Sequence, residues 1–582
     1  MANGERIKFG PFEANLRTCE LFRRGSKVPI QQKPFQLLAI LLHRSGDLVT
    51  REEIQQLLWP DTYVQKELSL NTAVRKLRLA LGDKEHTRHY IETVGSRGYR
   101  FSQSVTISGV PDSFRAPVSV RRIRLAVLPL ENVSGPEHEA FSDGLTEQLI
   151  ACLGRVGEHV NVIAPVSSMQ YKRTSKSTVQ ICSELRCDHI LSGSVLRVGN
   201  RIRVTAKLIR ASDQACAWTD SFSSDQLDVL ALQDEIAAQI TQALRSVFPN
   251  GTHQSKPLAG VHPDLMAKYL RATAFAGQAF EAGFENAARL LHEVLEAAPD
   301  FALAHADLAK LLANSATFGI MPVSVLFREV QEHARAALAI SDNLESAHIA
   351  LGYMHFYYEA DWDEAERAFR RAVQINPSCV PAYMGLSQVM TASGMVDQGI
   401  DFMRHAHDLD PISPIVNTML ACAHYFAGQH EHAERVLAEG LALHPGFPIA
   451  LVTLSWVKLA TGRPAEAVAP AQEARERSGD SPLIAASLSY VLACAGQVRK
   501  ARTTLTRLRE SPHVPTYWLA LCHLALNESD AALDLLETCM HERCAWRVLM
   551  LVDPKVKALA EHPRYRAMVD QLNFPDAAAA GQ

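Results

Sequence analysis

The apolar positions change period several times along the 582 residues. Short alternating stretches come first, at 7–9, 20–23 and 28–30, and predict a β-rich opening. A three-to-four spacing then takes over. PFQLLAILLHRSG predicts a helix with Pro34 near its start and Gly46 past its end, where a missing N–H and a positive φ are tolerated. In TREEIQQLLWP, Thr50 and Glu53 have capping-box spacing and Pro60 ends the helix. In SLNTAVRKLRLALG, Leu70, Ala73, Val74, Leu77 and Leu81 form one apolar face, and Asn71, Thr72, Arg75, Lys76 and Arg78 lie on or beside the other. Gly82 stops this helix, and YIETVGSRGYRF predicts a hairpin with its tip at 95–98.

From 122 to 246, strand-like and helical patterns alternate and predict a small α/β domain. RLAVLPLENVS and VNVIAP read as strands, EAFSDGLTEQLIACLGRV and TVQICSELRCD as helices, and 189–211 as two strands around Gly199-Asn200. VLALQDEIAAQITQALR closes the domain as a helix. Asp143 and Gly144 read as a helix-capping turn, and Arg201, Arg203 and Lys207 as a solvated strand face. Neither G-x-x-x-x-G-K-[ST] nor G-x-G-x-x-G occurs here, so a phosphate-cradling loop lacks support.

Beyond 261 the informative feature is register. Leu386, Leu420, Leu454 and Leu488 recur every 34 residues, as do Gly394, Gly428, Gly462 and Gly496; Ala433, Ala467 and Ala501 keep step, and so do Pro377, Pro411 and Pro445. Small residues are required where paired helices approach closely, and Pro where one unit ends. The step from Pro299 to Asp342 is 43, an insertion around SATFGIMPVS. About seven units are predicted, then a degenerate one and a capping helix near HPRYRAMVDQL. Most of the aromatic cluster Tyr353, His355, Phe356, Tyr357, Tyr358 and Trp362 is expected in the inter-helix core.

Charge sharpens this division. Residues 1–104 carry 17 Lys+Arg against 11 Asp+Glu, whereas the whole chain carries 59 against 63. A cationic module is therefore joined to an acidic remainder, which points to a polyanion partner. No apolar run reaches the ~18–20 residues needed to cross a bilayer. The opening MANGERIKFG lacks the apolar stretch of an export signal, so a cytoplasmic protein without membrane partners is expected. Eleven scattered Cys argue for reduced thiols. Cys539, His541 and Cys544 lack the four-ligand spacing of structural zinc, so no metal site and no cofactor are expected. No catalytic motif appears, and the expectation is a non-enzyme.

Three helices and a hairpin suit a major groove about 12 Å wide, which admits one helix presenting Arg, Lys, Asn and Thr. The stretches REEIQQLLWP, LNTAVRKLRLALG and YIETVGSRGYRF together resemble the OmpR/PhoB-type winged-helix DNA-binding domain, in the branch of one-component bacterial regulators related to acid-response and virulence activators. The resemblance implies a recognition helix at 68–81 with Arg75, Lys76 and Arg78 on DNA, Thr93 on phosphate and Arg97 on the wing; Asn71 and Thr72 share the helix's outward side. Gly95 departs from the basic residue that many members carry there. LAVLPLENVSG, FSDGLTEQL and LSGSVLRVGNRIRVTAKLI resemble the TolB-like α/β domain, and the 34-residue units resemble tetratricopeptide repeats.

The expected fold class is multidomain: a winged helix (1–104), a linker (105–121), a small α/β domain (122–248), a linker (249–261), an all-α tetratricopeptide solenoid (262–549) and a capping tail (550–582). The expected function is a sequence-specific DNA-binding transcriptional regulator whose C-terminal parts sense a partner or ligand. Its partners would be double-stranded DNA and a protein or peptide at the solenoid, with room for RNA polymerase contact and a homodimer on DNA. The alternative is an interaction scaffold whose winged helix docks a protein.

Overall fold

The structure, a computed structural model, describes residues 6–9, 11–15, 20–23, 26–43, 48–51, 54–55, 66–83, 90–94, 97–101, 106–108, 123–155, 160–198, 201–225, 235–236, 239, 262–276, 281–317, 323–479, 481–508 and 514–575. The chain divides into two compact units, Met1–Val118 and Ser119–Gln582.

In the first unit β1 (Arg6–Phe9), β2 (Phe12–Asn15), β3 (Glu20–Arg23), β4 (Ser26–Val28) and β8 (Thr106–Ser108) form an antiparallel sheet in the order β4-β3-β2-β1-β8. β8 lies inside the stretch predicted as linker: Ile107 pairs with Ile7, so alternating residues after 104 still belong to this sheet. β2 was absent from the sequence expectation. A second sheet, β5-β7-β6, joins β5 (Leu48–Thr50) to the hairpin of β6 (Ile91–Val94) and β7 (Gly98–Phe101). Gly98 is required here, because a Cβ would sit 2.0 Å from the Val49 carbonyl oxygen. Helices α1 (Gln32–His43) and α2 (Lys66–Leu81) close the core, with Phe35, Leu38 and Leu41 of one and Leu70, Val74 and Leu77 of the other buried beside Phe9, Tyr99 and Phe101. Of the second predicted helix, Arg51, Ile54 and Gln55 are described, all helical; Glu53 and the hairpin's Gly95 lie outside the described residues.

The second unit opens with a mixed sheet, β11-β9-β12-β13-β14, in which β10 also pairs with β12. Its strands are β9 (Ile123–Val127), β10 (Glu131–Asn132), β11 (Val160–Val162), β12 (His189–Val198), β13 (Arg201–Arg210) and β14 (Cys216–Asp225). The polar β14 was not predicted. Helix α3 (Glu139–Gly154) contains Asp143 and Gly144, which therefore do not form the expected capping turn. Gly144 lets α3 approach the helix Pro263–Ala276: a Cβ there would stand 2.2 Å from the carbonyl oxygen of Leu270. Arg201, Arg203 and Lys207 are exposed, as a solvated face requires. The closing helix expected near 229–245 lies almost wholly outside the described residues, with Glu235, Ile236 and Gln239 helical.

Eight helix pairs follow among the described residues. First helices at Val380–Ala392, Pro414–Phe426, Pro448–Ala460 and Pro482–Cys494 start 34 residues apart, and so do second helices from Trp362–Ile375 to Val498–Leu508. The register glycines explain the step: Gly394, Gly428, Gly462 and Gly496 adopt φ of 81°, 71°, 72° and 76° in the intra-pair turn, where a side chain would be strained. Ala433, Ala467 and Ala501 are fully buried at the helix crossings. Tyr353, Phe356 and Trp362 are core residues, as expected.

The α/β domain and the repeats share one hydrophobic core, running from Leu125 and Leu149 through Leu270 and Leu291 to Phe369. A bidentate pair from Arg155 to Glu345, at 3.1–3.4 Å, ties α3 to the third helix pair. At the other end the C-terminal segment turns back onto the first helices. Lys555 Nζ lies 4.3–5.8 Å from the ring centres of Tyr425, Phe426, Trp456 and Trp518 and pairs with Asp553 at 2.9 Å, both almost fully buried. Arg547 donates to the carbonyls of Tyr357 and Tyr358 at 2.6 Å, and Trp362 Nε1 to Leu572 O at 2.9 Å. The helix Pro563–Gln571 forms where the capping helix was predicted.

Candidate nucleic-acid interface

Helix α2 has a sealed side and an open side. Leu70, Ala73, Val74, Leu77 and Leu81 are buried, whereas Asn71, Arg75, Lys76 and Leu79 are exposed. The amphipathic spacing does this alone, since residues three and four apart share a face. Arg75 makes no hydrogen bond or ion pair among the described residues. Lys76 Nζ donates to Gln31 Oε1 at 2.8 Å on the surface, a bond that a phosphate oxygen can replace.

The remaining predicted residues are partly committed to the domain itself. Asn71 Oδ1 accepts from Arg51 Nη1 at 3.1 Å and from the Tyr99 hydroxyl at 3.2 Å, so its outward capacity is the donor amide. Thr72 is half-buried. Arg78 turns inward: Nη2 donates to Ile91 O at 3.0 Å and to Thr93 Oγ1 at 2.8 Å, and the guanidinium lies 5.9 Å from the Tyr99 ring centre. It thus joins the end of α2 to the wing strand. Thr93, as acceptor from Arg78, keeps its own hydroxyl proton to donate. Arg97 is exposed at the hairpin tip, its N–H bonded to Val94 O at 3.2 Å.

Two residues escaped the sequence reading. Arg51 donates its backbone N–H to Arg97 O at 3.1 Å and stacks 5.1 Å over Tyr99, so it fixes wing, helix and ring together. Its signal was only its place at the start of a helix. Leu79, 83% exposed one turn beyond Arg75, is an apolar residue outside the buried register, a departure visible in the spacing itself.

Three family descriptions match parts of the chain. Residues 25–101 match the family described as transcriptional regulatory protein, C terminal; 121–239 match the second domain of HilA/YgeH-like transcriptional regulators; 418–482 match tetratricopeptide repeats. Transcriptional regulator HilA of Salmonella typhimurium is 24% identical over 431 residues, 73% of this chain and 74% of the relative. A Rhizobium meliloti protein named "Putative adenylate cyclase 3" is 35% identical over 187 residues, 32% of either chain. A solved structure of Pseudomonas aeruginosa pilF matches 40% of this chain and 98% of its own, at 17% identity and a TM-score of 0.27. The chain thus combines an OmpR/PhoB-type DNA-binding domain, a HilA-like regulator domain and tetratricopeptide repeats for interaction. No helix among the described residues is long and apolar enough to cross a membrane.

Proposed function

We propose that the chain acts as a sequence-specific transcriptional regulator that reads double-stranded DNA with α2 and holds the flanking backbone with its wing. One observation carries this reading: α2 seals its apolar side completely while Arg75, Lys76 and the amide of Asn71 stay outward, with the exposed Arg97 on the adjoining hairpin. Arg75 supplies the bidentate base contact, Lys76 and Arg97 meet phosphates, and the Thr93 hydroxyl adds a phosphate bond. Arg78 and Arg51 position these groups. The repeats receive a protein or peptide whose binding alters dimerisation or DNA occupancy. A peptide using the face of the first helices must displace Lys555 from its rings. The protein works in the cytoplasm, without catalysis of its own.

The test is to mix purified full-length protein with fragmented genomic DNA at near-physiological salt and sequence what is retained. Discrete peaks over repeated half-sites, lost in an Arg75→Ala/Lys76→Ala double variant, are expected. Affinity should fall with salt at a log–log slope near −0.9 per neutralised phosphate. Diffuse retention unaffected by the double variant would sink the reading. The exposed Leu79 favours a second use of the same face, an apolar contact with a protein such as RNA polymerase. A Leu79→Ser variant that keeps its DNA peaks but loses polymerase recruitment would assign it that use.

A further inference from the structure

The repeat step stretches from 34 to 43 between Pro299 and Asp342, and the helices of this irregular region bring three imidazoles and a carboxylate together. His292 lies on the helix Glu281–Ala297, His305 on Ala302–Thr317, and Glu329 and His333 on Val323–Ile340. Glu329 and His333 are four residues apart and so share a helix face. His292 Nε2 stands 3.4 Å from Glu329 Oε1, and His333 Nε2 stands 4.0 Å from the same oxygen. One ligand atom from each of the three residues lies within 4.8 Å of the other two.

The hydrogen bonds fix which nitrogens carry protons. His305 Nε2 lies 2.8 Å from the Pro299 carbonyl, which can only accept, so Nε2 bears the proton and the neutral ring's Nδ1 offers a lone pair. His333 Nδ1, 2.8 Å from that Nδ1, must then donate. The Nε2 of His333 is left with its lone pair facing a carboxylate oxygen across a gap too long for a hydrogen bond. A cation placed between these two atoms would be held by both.

We propose that His292, Glu329 and His333 form a transition-metal site, best suited to zinc, that bridges two consecutive repeats, with His305 orienting the ligand ring of His333. Tetrahedral bonds of about 2.0–2.1 Å place donor atoms roughly 3.4 Å apart, the separation already present between His292 and Glu329. A ligand imidazole donating its second N–H to a fixed acceptor is the usual support of such sites. Side-chain exposures of 44%, 39% and 18% for His292, Glu329 and His333 leave a route for the ion and a fourth position for water.

The test uses untagged full-length protein, stripped with a chelator and titrated with zinc against a chromogenic competitor. One tight equivalent per chain and a rise in Tm are expected. Glu329→Gln and His333→Ala should each weaken binding at least about 100-fold, and His305→Phe about 10- to 100-fold. Cys544→Ser should leave it unchanged. Absence of a tight equivalent, or one that survives Glu329→Gln with unaltered affinity, overturns the proposal. Glu329 is surface-accessible, so its variant stays informative if the His333 variant does not fold.

Discussion

Arg75 of the first unit and Arg155 of the second show two opposite uses of a guanidinium. In α2 the outward cations are held away from the domain's own carboxylates, with Arg75 meeting none of them among the described residues. In the larger unit, cations are consumed internally: Arg155 by Glu345, Lys172 by Asp143 and Glu139, Lys310 by Asp307, Lys555 by Asp553. A surface meant for a polyanion must keep its charge unneutralised, which costs little stability on an exposed helix. An interface between an α/β domain and a repeat array uses the same chemistry to fix its register.

The sharpest break in that comparison should come from Glu345→Ala. It strands Arg155, and the loss should be about 2–3 kcal/mol, below the 3–5 of a fully buried pair because Arg155 remains 30% exposed. Chemical denaturation would show it, while DNA affinity of the folded protein should not move. Arg75→Ala is the mirror image: about 1–3 kcal/mol of DNA binding lost at specific sites, with Tm unchanged. Arg78→Ala should blur the two classes, losing about 1 kcal/mol of stability with its two wing bonds and a comparable part of the binding through a misplaced wing. An Arg78→Ala variant of wild-type Tm with base-specific loss would place it among the reading residues instead.

A last test removes a charge without breaking a bond. Burial, with Asp143 and Asp307 nearby, pushes Glu147 up to about 8 despite Lys310. Its folded value lies above the unfolded one, so as pH rises the unfolded chain ionises first. The folded state therefore loses stability from about pH 4.5 towards pH 8. Glu147→Gln should remove this slope, raising Tm clearly at pH 8 and almost not at pH 5.

Periodicity reveals what a helix hides, and it did so here. All five apolar positions predicted for α2 are buried, and the 34-residue glycines occupy left-handed turns. Pattern says less about what a long side chain reaches. Arg78 shares the polar side with Arg75, yet its extra reach toward β6 ends on Thr93, a contact set by tertiary placement. β14, with a sequence of CAWTDSFSSD, has too few apolar positions for alternation to register; its partner β13 organises it. The His292, Glu329 and His333 cluster draws on two helices in different repeats, so no local spacing could announce it. Gly144 looked like punctuation and proved to be a point of helix contact.

The ends of the repeat array carry a consequence for how it comes apart. A linear stack of repeats held by neighbour contacts ordinarily frays from its termini, one unit at a time. Here α3 is docked against the first pair through Gly144, and the segment from Arg547 to Leu572 crosses back to Tyr357 and Trp362, several pairs upstream. That long-range closure turns an open zipper into a buckled belt. Loss of a terminal pair must also break contacts in the middle, so the array should melt as one transition, and a shortened chain ending before Arg547 should melt in steps.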